Sequence, residues 1–183
     1  GVLMDWIGHH NDIAHWAIGA DKSGPTKVEA VGWTFPDADV YDTPHQYEIR
    51  CEYTDGVQTS ISSRNLLGTK FIGEDGWVRV TRGRLTASDK RWLAGDFRVG
   101  SKQVYHSDNH TRNFLDCVMS RKECIAPAET GHRSITPGHL GYVSNKLGRS
   151  LKWDSTTETV VGDKAANTLL QTHGYRKPWK TGV

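Results

Sequence analysis

Two kinds of apolar recurrence run along this chain. In "DWIGHHNDIAHWAIG", from Asp5 to about Gly19, Trp6, Ile13, Trp16, Ala17 and Ile18 recur at mixed helical spacing, and Gly19 is a ready terminator. The spacing predicts a helix. After the loop "DKSGPT" (21–26) the period changes to two. "TKVEAVGW" reads as a strand, and in "QYEIRCEY" (46–53) Tyr47, Ile49, Cys51 and Tyr53 alternate with Glu48, Arg50 and Glu52. That alternation predicts a strand with one buried and one polar face. Asp55-Gly56 leads into "VQTSISS" as a hairpin, and "TKFIGEDGWVRVTRG" repeats the device with Asp75-Gly76 as its turn.

Residues 84–104 carry weaker signals: "SDKRWLAG" predicts a short helix, and "DFRVGSKQVYHS" a loop with one strand. The last third turns helical. Asp108 or Asn109 can cap a helix bearing Phe114, Leu115, Val118 and Met119 and running to about Lys122. Thr136 as N-cap and Pro137 at the first helical position predict another, with Leu140, Val143 and Leu147 as its apolar stripe and Gly148 as its stop. "SLKWD" reads as extended, "GDKAANTLLQ" as a short helix capped by Asp163, and "GYRKPWKTGV" as an extended tail. Helix, antiparallel strands, then helices predict an α+β fold. Its open, predominantly antiparallel sheet meanders in sequence order, with helices packed on one face and the other solvated or covered by a partner.

At 183 residues the chain suits one domain spanning 1–183, and 36% apolar with 24% charged residues is ordinary for a globular core. A net charge of +2, with basic residues scattered among acidic ones, gives no reason to propose nucleic acid or an anionic membrane as partner. No apolar run approaches the roughly 20 residues of a membrane span. Seven tryptophans fit a carbohydrate cleft or ordinary packing. Cys51, Cys117 and Cys124 form no CxxC pair and read as free thiols, most of them buried. Neither a G-x-G-x-x-G nor a G-x-x-x-x-G-K-[ST] loop marks a nucleotide site, and no G-x-S-x-G elbow presents a serine.

The densest chemistry lies in "DWIGHHND". At about 100° per residue, Asp5, His9, Asp12 and Trp16 share one helical stripe, whereas His10 and Asn11 point elsewhere. Adjacent histidines cannot face a single ion, so no metal is expected. A histidine one turn from a carboxylate suits proton abstraction from a hydroxyl. The same spacing also suits a helix cap at Asp5 with a solvated face.

Together, "DWIGHHNDIAHWAIGADKSGP", "HTRNFLDCVMSRKECIAPAETGHRSITPGHLGYVSNKLGRSLKWD" and "GDKAANTLLQ…YRKPW" closely resemble the C-terminal domain of Gfo/Idh/MocA-type oxidoreductases, in particular a bacterial branch. The resemblance covers essentially the whole chain. It implies a parent enzyme that uses NAD or NADP on a sugar or polyol, with an N-terminal Rossmann domain that this chain lacks. The chain alone is expected to hold no cofactor and to be inactive. The family pattern Asp-x-Gly-x-His-x-x-Asp falls on Asp5, Ile7, His9 and Asp12: His9 as general base, Asp5 as its partner, Asp12 as a substrate ligand. The motif glycine is replaced by Ile7, with a glycine displaced to position 8. His110, His132 and Arg133 match family motifs as well and are expected to bind substrate, the last two binding it or fixing their loop. The resemblance also implies a homodimer or homotetramer through the open sheet face. An NAD-dependent glycosidase of the same family, or a non-catalytic assembly module, would share these features. With no signal-peptide pattern, a cytoplasmic location is favoured, and export stays open because the native N-terminus is expected upstream.

Overall fold

The computed structural model describes residues 1–37, 40–95, 97, 104–171 and 178. Helix α1 spans Val2–Ile18, starting a turn earlier than the spacing predicted and stopping at Gly19, whose left-handed backbone (φ 71°) closes it. Leu3, Ile7, Asn11 and His15 form its buried stripe. The Asp5/His9 stripe lies off it, with both side chains exposed.

Strands β1 (Lys27–Thr34), β2 (Gln46–Glu52) and β3 (Gln58–Ser62) pair in sequence order, antiparallel, as expected from their alternation. β4 (Thr69–Gly73), β5 (Gly76–Thr81) and β6 (Arg84–Ala87) do not extend that meander; they form a second, three-stranded sheet. The turn joining β4 to β5 is Glu74-Asp75, one residue earlier than predicted, because Gly76 already pairs with Gly73. β6 was not foreseen. It follows Arg82-Gly83, a tight turn at which Thr81 faces Arg84. The segment 88–95 holds the expected short helix as one turn of 3-10 helix, Lys90–Leu93. The strand expected within 96–107 and the tail 174–183 lie largely outside the described residues.

Helix α2 (His110–Ser120) begins at Asn109, whose side chain accepts the Arg112 backbone N–H at 2.8 Å. Helix α3 spans Ala128–Leu147, starting eight residues before the predicted cap Thr136. Pro137 sits inside it and forfeits one backbone bond, which usually ends a helix. Contacts to α1 sustain the turns upstream: Asn11 donates to the Ser134 carbonyl at 2.9 Å, and Ser134 donates to Asp12 at 2.7 Å. The Thr136 hydroxyl, expected to cap, instead bonds the His132 carbonyl. Beyond α3, β7 (Leu151–Asp154) pairs with β1, β8 (Thr159–Val160) pairs with β7, and α4 (Lys164–Leu170) is capped by Asp163 as predicted.

The larger sheet therefore runs β3-β2-β1-β7-β8. Val28, Ile49, Cys51 and Leu151 lie on its inner face beneath α1 and α3. Its outer face carries Lys27 against Glu52 at 2.7 Å and Glu48 between Arg50 and Arg64, and no helix among the described residues covers it. This is an open antiparallel sheet with helices on one face. Of the three thiols only Cys51 is fully buried; burial pushes it up to about 12, so it packs as a small apolar group. Among the described residues no helix is long and apolar enough to cross a membrane.

His15 is wholly enclosed, its Nε2 lying 2.8 Å from the Tyr53 hydroxyl and 3.2 Å from the Asn11 amide. Burial lowers its proton affinity against the opposing pull of Asp12 and Asp21, and burial likewise lowers that of His10 and His139. A histidine harder to protonate when folded adds stability that is full above its unfolded value of about 6.5 and is lost as pH falls through the lowered folded value. Thermal melts should therefore show Tm falling between about pH 7 and pH 5, ahead of the carboxylate range. A flat Tm over that window would refute it.

Candidate active site on the first helix

Helix α1 places Trp6, His9 and His10 in one aromatic cluster. The Trp6 and His9 rings meet edge to face at 5.8 Å, and His10 stacks on Trp6 at 5.3 Å with 22° between planes. Among the described residues His9 makes no hydrogen bond, and Asp5, one turn before it, makes no ion pair with it. Both side chains face solvent. Asp12 is half-buried; its Oδ1 lies 2.7 Å from the Ser134 hydroxyl, which also lies 2.8 Å from the Thr130 carbonyl, and its Oδ2 makes no hydrogen bond among the described residues. So Asp12 is anchored on α3 while His9 faces solvent.

Ile7, the departure from the motif, does not face that surface. It is 2% exposed and packs towards Gly138, where an added Cβ would stand 3.1 Å from its Cδ1 and 2.6 Å from the Met4 sulfur. The surface beside His9 belongs instead to the exposed Gly8.

The other expected ligands divide. Arg133 is mostly buried: its Nε bonds Glu129 at 2.6 Å, and its Nη1 reaches the Ser155 carbonyl at 2.7 Å and Glu158 at 2.9 Å. His132 Nε2 lies 2.8 Å from the same Glu158 carboxylate. The pair thus ties α3 to the turn between β7 and β8. His110 is the exposed first residue of α2, a helix with no buried residue, and no hydrogen bond or ion pair joins it to α1 among the described residues.

His10, which the helical projection turned away from the cluster, has a partner surface of its own. It and Trp6 form one wall of a cleft of about 270 Å³; Leu67, Arg79, Thr81, Arg82 and Arg84, from the second sheet and the connections beside it, form the other. The Thr69 hydroxyl bonds the His10 carbonyl at 2.7 Å and docks that sheet on α1. Three arginines, Arg79, Arg82 and Arg84, are gathered here. The run "VRVTRGR" (78–84) held the signal: cations spaced across a two-residue turn. Proton affinity of His10 is lowered by burial first, then by His9 and by Arg82. Among the described residues, no three His, Cys, Asp or Glu side chains converge as an ion cage.

A sequence profile described as the oxidoreductase family, C-terminal alpha/beta domain, matches residues 1–181. Among solved structures, the chain is similar to an NAD-binding protein from Listeria innocua at 14% identity and a TM-score of 0.56, over 83% of this chain and 47% of that one. It is also similar to aldose-aldose oxidoreductase from Caulobacter crescentus complexed with glycerol, at 15% identity and a TM-score of 0.51, over 77% of this chain and 44% of that one. At these identities the likeness is one of fold. The chain spans about half the length of either structure. No curated protein matches it.

Proposed function

The chain belongs to the Gfo/Idh/MocA oxidoreductase family as a C-terminal alpha/beta domain, and on that premise we propose that it is the substrate-binding half of an NAD(P)-dependent enzyme acting on a sugar or polyol hydroxyl. One observation carries the reading. His9 stands exposed, unbonded among the described residues and edge-on to Trp6, while the neighbouring carboxylate of Asp12 is fixed by Ser134.

That arrangement divides the labour. Trp6, half-buried beside His9, offers an apolar contact for the carbon face of a sugar. Asp12 Oδ2 accepts a hydroxyl of the bound molecule and sets its orientation, and an imidazole nitrogen of His9 takes the proton from the reacting hydroxyl. Ile7 points inward and Gly8 lies at the surface, so the motif's departure puts no branched side chain of α1 itself beside His9. The chemistry that a nicotinamide cofactor would supply is a hydride acceptor for the carbinol carbon. The chain shows no phosphate-cradling glycine loop, so in this reading a dinucleotide-binding domain brings the cofactor. Asp5 meets His9 on a change of rotamer, and Arg133 and His132 position the β7–β8 turn. The open sheet face serves assembly; its charged pairs would make such an interface polar and sensitive to salt.

The test uses the enzyme joined to its dinucleotide-binding domain, offered NAD and NADP with a panel of sugars and polyols. NADH or NADPH should accumulate with at least one of them. Release of the leaving group from an aryl glycoside with no net NADH would replace this reading with the glycosidase.

A further inference from the structure

The cleft between α1 and the second sheet is walled by cations and aromatic rings, and none of its lining residues is acidic. Elsewhere among the described residues Arg50, Arg64, Arg91, Arg112, Arg133 and Arg149 each hold a carboxylate, and only the isolated, exposed Arg121 does not. Arg79, Arg82 and Arg84 do not, among the described residues, although all three converge on one cleft. Arg79 spends one N–H on the Leu67 carbonyl, which fixes its direction and leaves the rest of its fork. The Arg82 guanidinium lies over the Trp6 ring, 5.9 Å from its centroid. An unpaired group of like charges is unfavourable in a chain whose net charge is only +2. It persists at no such cost when an anion completes it. Burial is not the reason for it, since Arg82 and Arg84 remain exposed.

Position says which molecule brings the anion. Trp6 is a shared wall, with His9 at its edge and His10 and Arg82 against its faces. A molecule laid beside Trp6 at its His9 edge therefore reaches from the proton acceptor towards the arginines. We propose that the cleft is an anion subsite, taking the carboxylate or phosphate group of a substrate whose reacting hydroxyl lies at His9. This rests on the reading of His9 given above and narrows its substrate to a sugar acid or a sugar phosphate. The guanidinium fork suits both groups, since each presents two oxygens to it.

Binding titrations test it without turnover, so a failure of hydride transfer leaves them interpretable. The Trp6 indole N–H, identified by Trp6→Phe, is followed by NMR while gluconate and glucose 6-phosphate are added, with sorbitol and glucose as neutral counterparts. Both anions or one of them should shift that signal at lower concentration than its neutral counterpart, and whichever does so names the carboxylate or the phosphate. R82Q/R84Q should weaken the preferred anion by about tenfold or more, while R121Q, which removes a remote exposed charge, should not. Equal binding of charged and neutral partners, an unaffected R82Q/R84Q variant, or an equal loss in R121Q would overturn the proposal. So would tighter binding of 2′,5′-ADP than of either sugar anion, because it would assign the cleft to the dinucleotide.

Discussion

Replacing His9 with Gln in the enzyme carrying its dinucleotide-binding domain is expected to lower kcat by about 100- to 10,000-fold while KM and Tm stay nearly unchanged. The size follows from the task. A positioned general base contributes to the transition state, where the hydroxyl proton is in flight, far more than to binding of the intact hydroxyl, so its loss falls on kcat. The selectivity follows from the structure. His9 is exposed and makes no hydrogen bond among the described residues, so the fold does not lean on it, and the edge contact with Trp6 is the only ring contact it gives up. Asp12→Asn should behave differently. Oδ1 is held by Ser134 and the amide can mimic one oxygen, so the loss should fall mainly on KM. Rates of the wild-type and variant enzymes over a range of substrate concentrations separate the two effects. Unchanged turnover in His9→Gln would mean that the cluster is vestigial and that this domain serves assembly alone.

The parts of this molecule that were legible in its sequence are those whose cause is local. Alternation through 46–53 reflects a strand half-immersed in the core, and each of its apolar positions is buried. Gly19 and Gly148 mark helix ends because both adopt left-handed backbone, and Asp163 caps because its carboxylate reaches the Ala166 N–H three residues on. What failed was set at long range. Thr136-Pro137 looks like a helix start by any local rule, yet the helix extends upstream because Asn11 and Asp12, more than 120 positions away, bind Ser134. The candidate site shows the same division. The projection of α1 gave correct angles for His9 and His10, but it could not show what stands opposite His10. That surface belongs to a hairpin about 70 residues downstream, whose third strand has only four residues and half-exposed side chains. Ile7 shows the same limit: as a break in a motif it carries no direction, and only the position of α3 shows that its side chain belongs to the core.

Gly141 and Ile49 should prove strongly coupled. A Cβ at position 141 would stand 2.5 Å from Ile49 Cδ1 and 2.7 Å from its Cγ1, and Ile49 is completely buried between α3 and β2. Gly141→Ala relieves a helix-interior glycine, worth about 1 kcal/mol. It also forces a branched, enclosed side chain to move, which costs about 1–3 kcal/mol. The overlap involves Cγ1 as well as the tip, so rotation of the last methyl does not remove it, and the net change should be destabilising. Ile49→Ala alone empties the centre of the core and should cost about 2–5 kcal/mol. In the double variant the new methyl at 141 enters space that Ile49 vacated. The clash disappears, part of the cavity is filled and the helix propensity is kept. The double variant should therefore be more stable than the sum of the single changes predicts, by about 1–2 kcal/mol. Urea unfolding of the four proteins measures the cycle. Strict additivity would mean that α3 backs away from the sheet as a unit, and that the close approach at Gly141 does not hold the helix against β2.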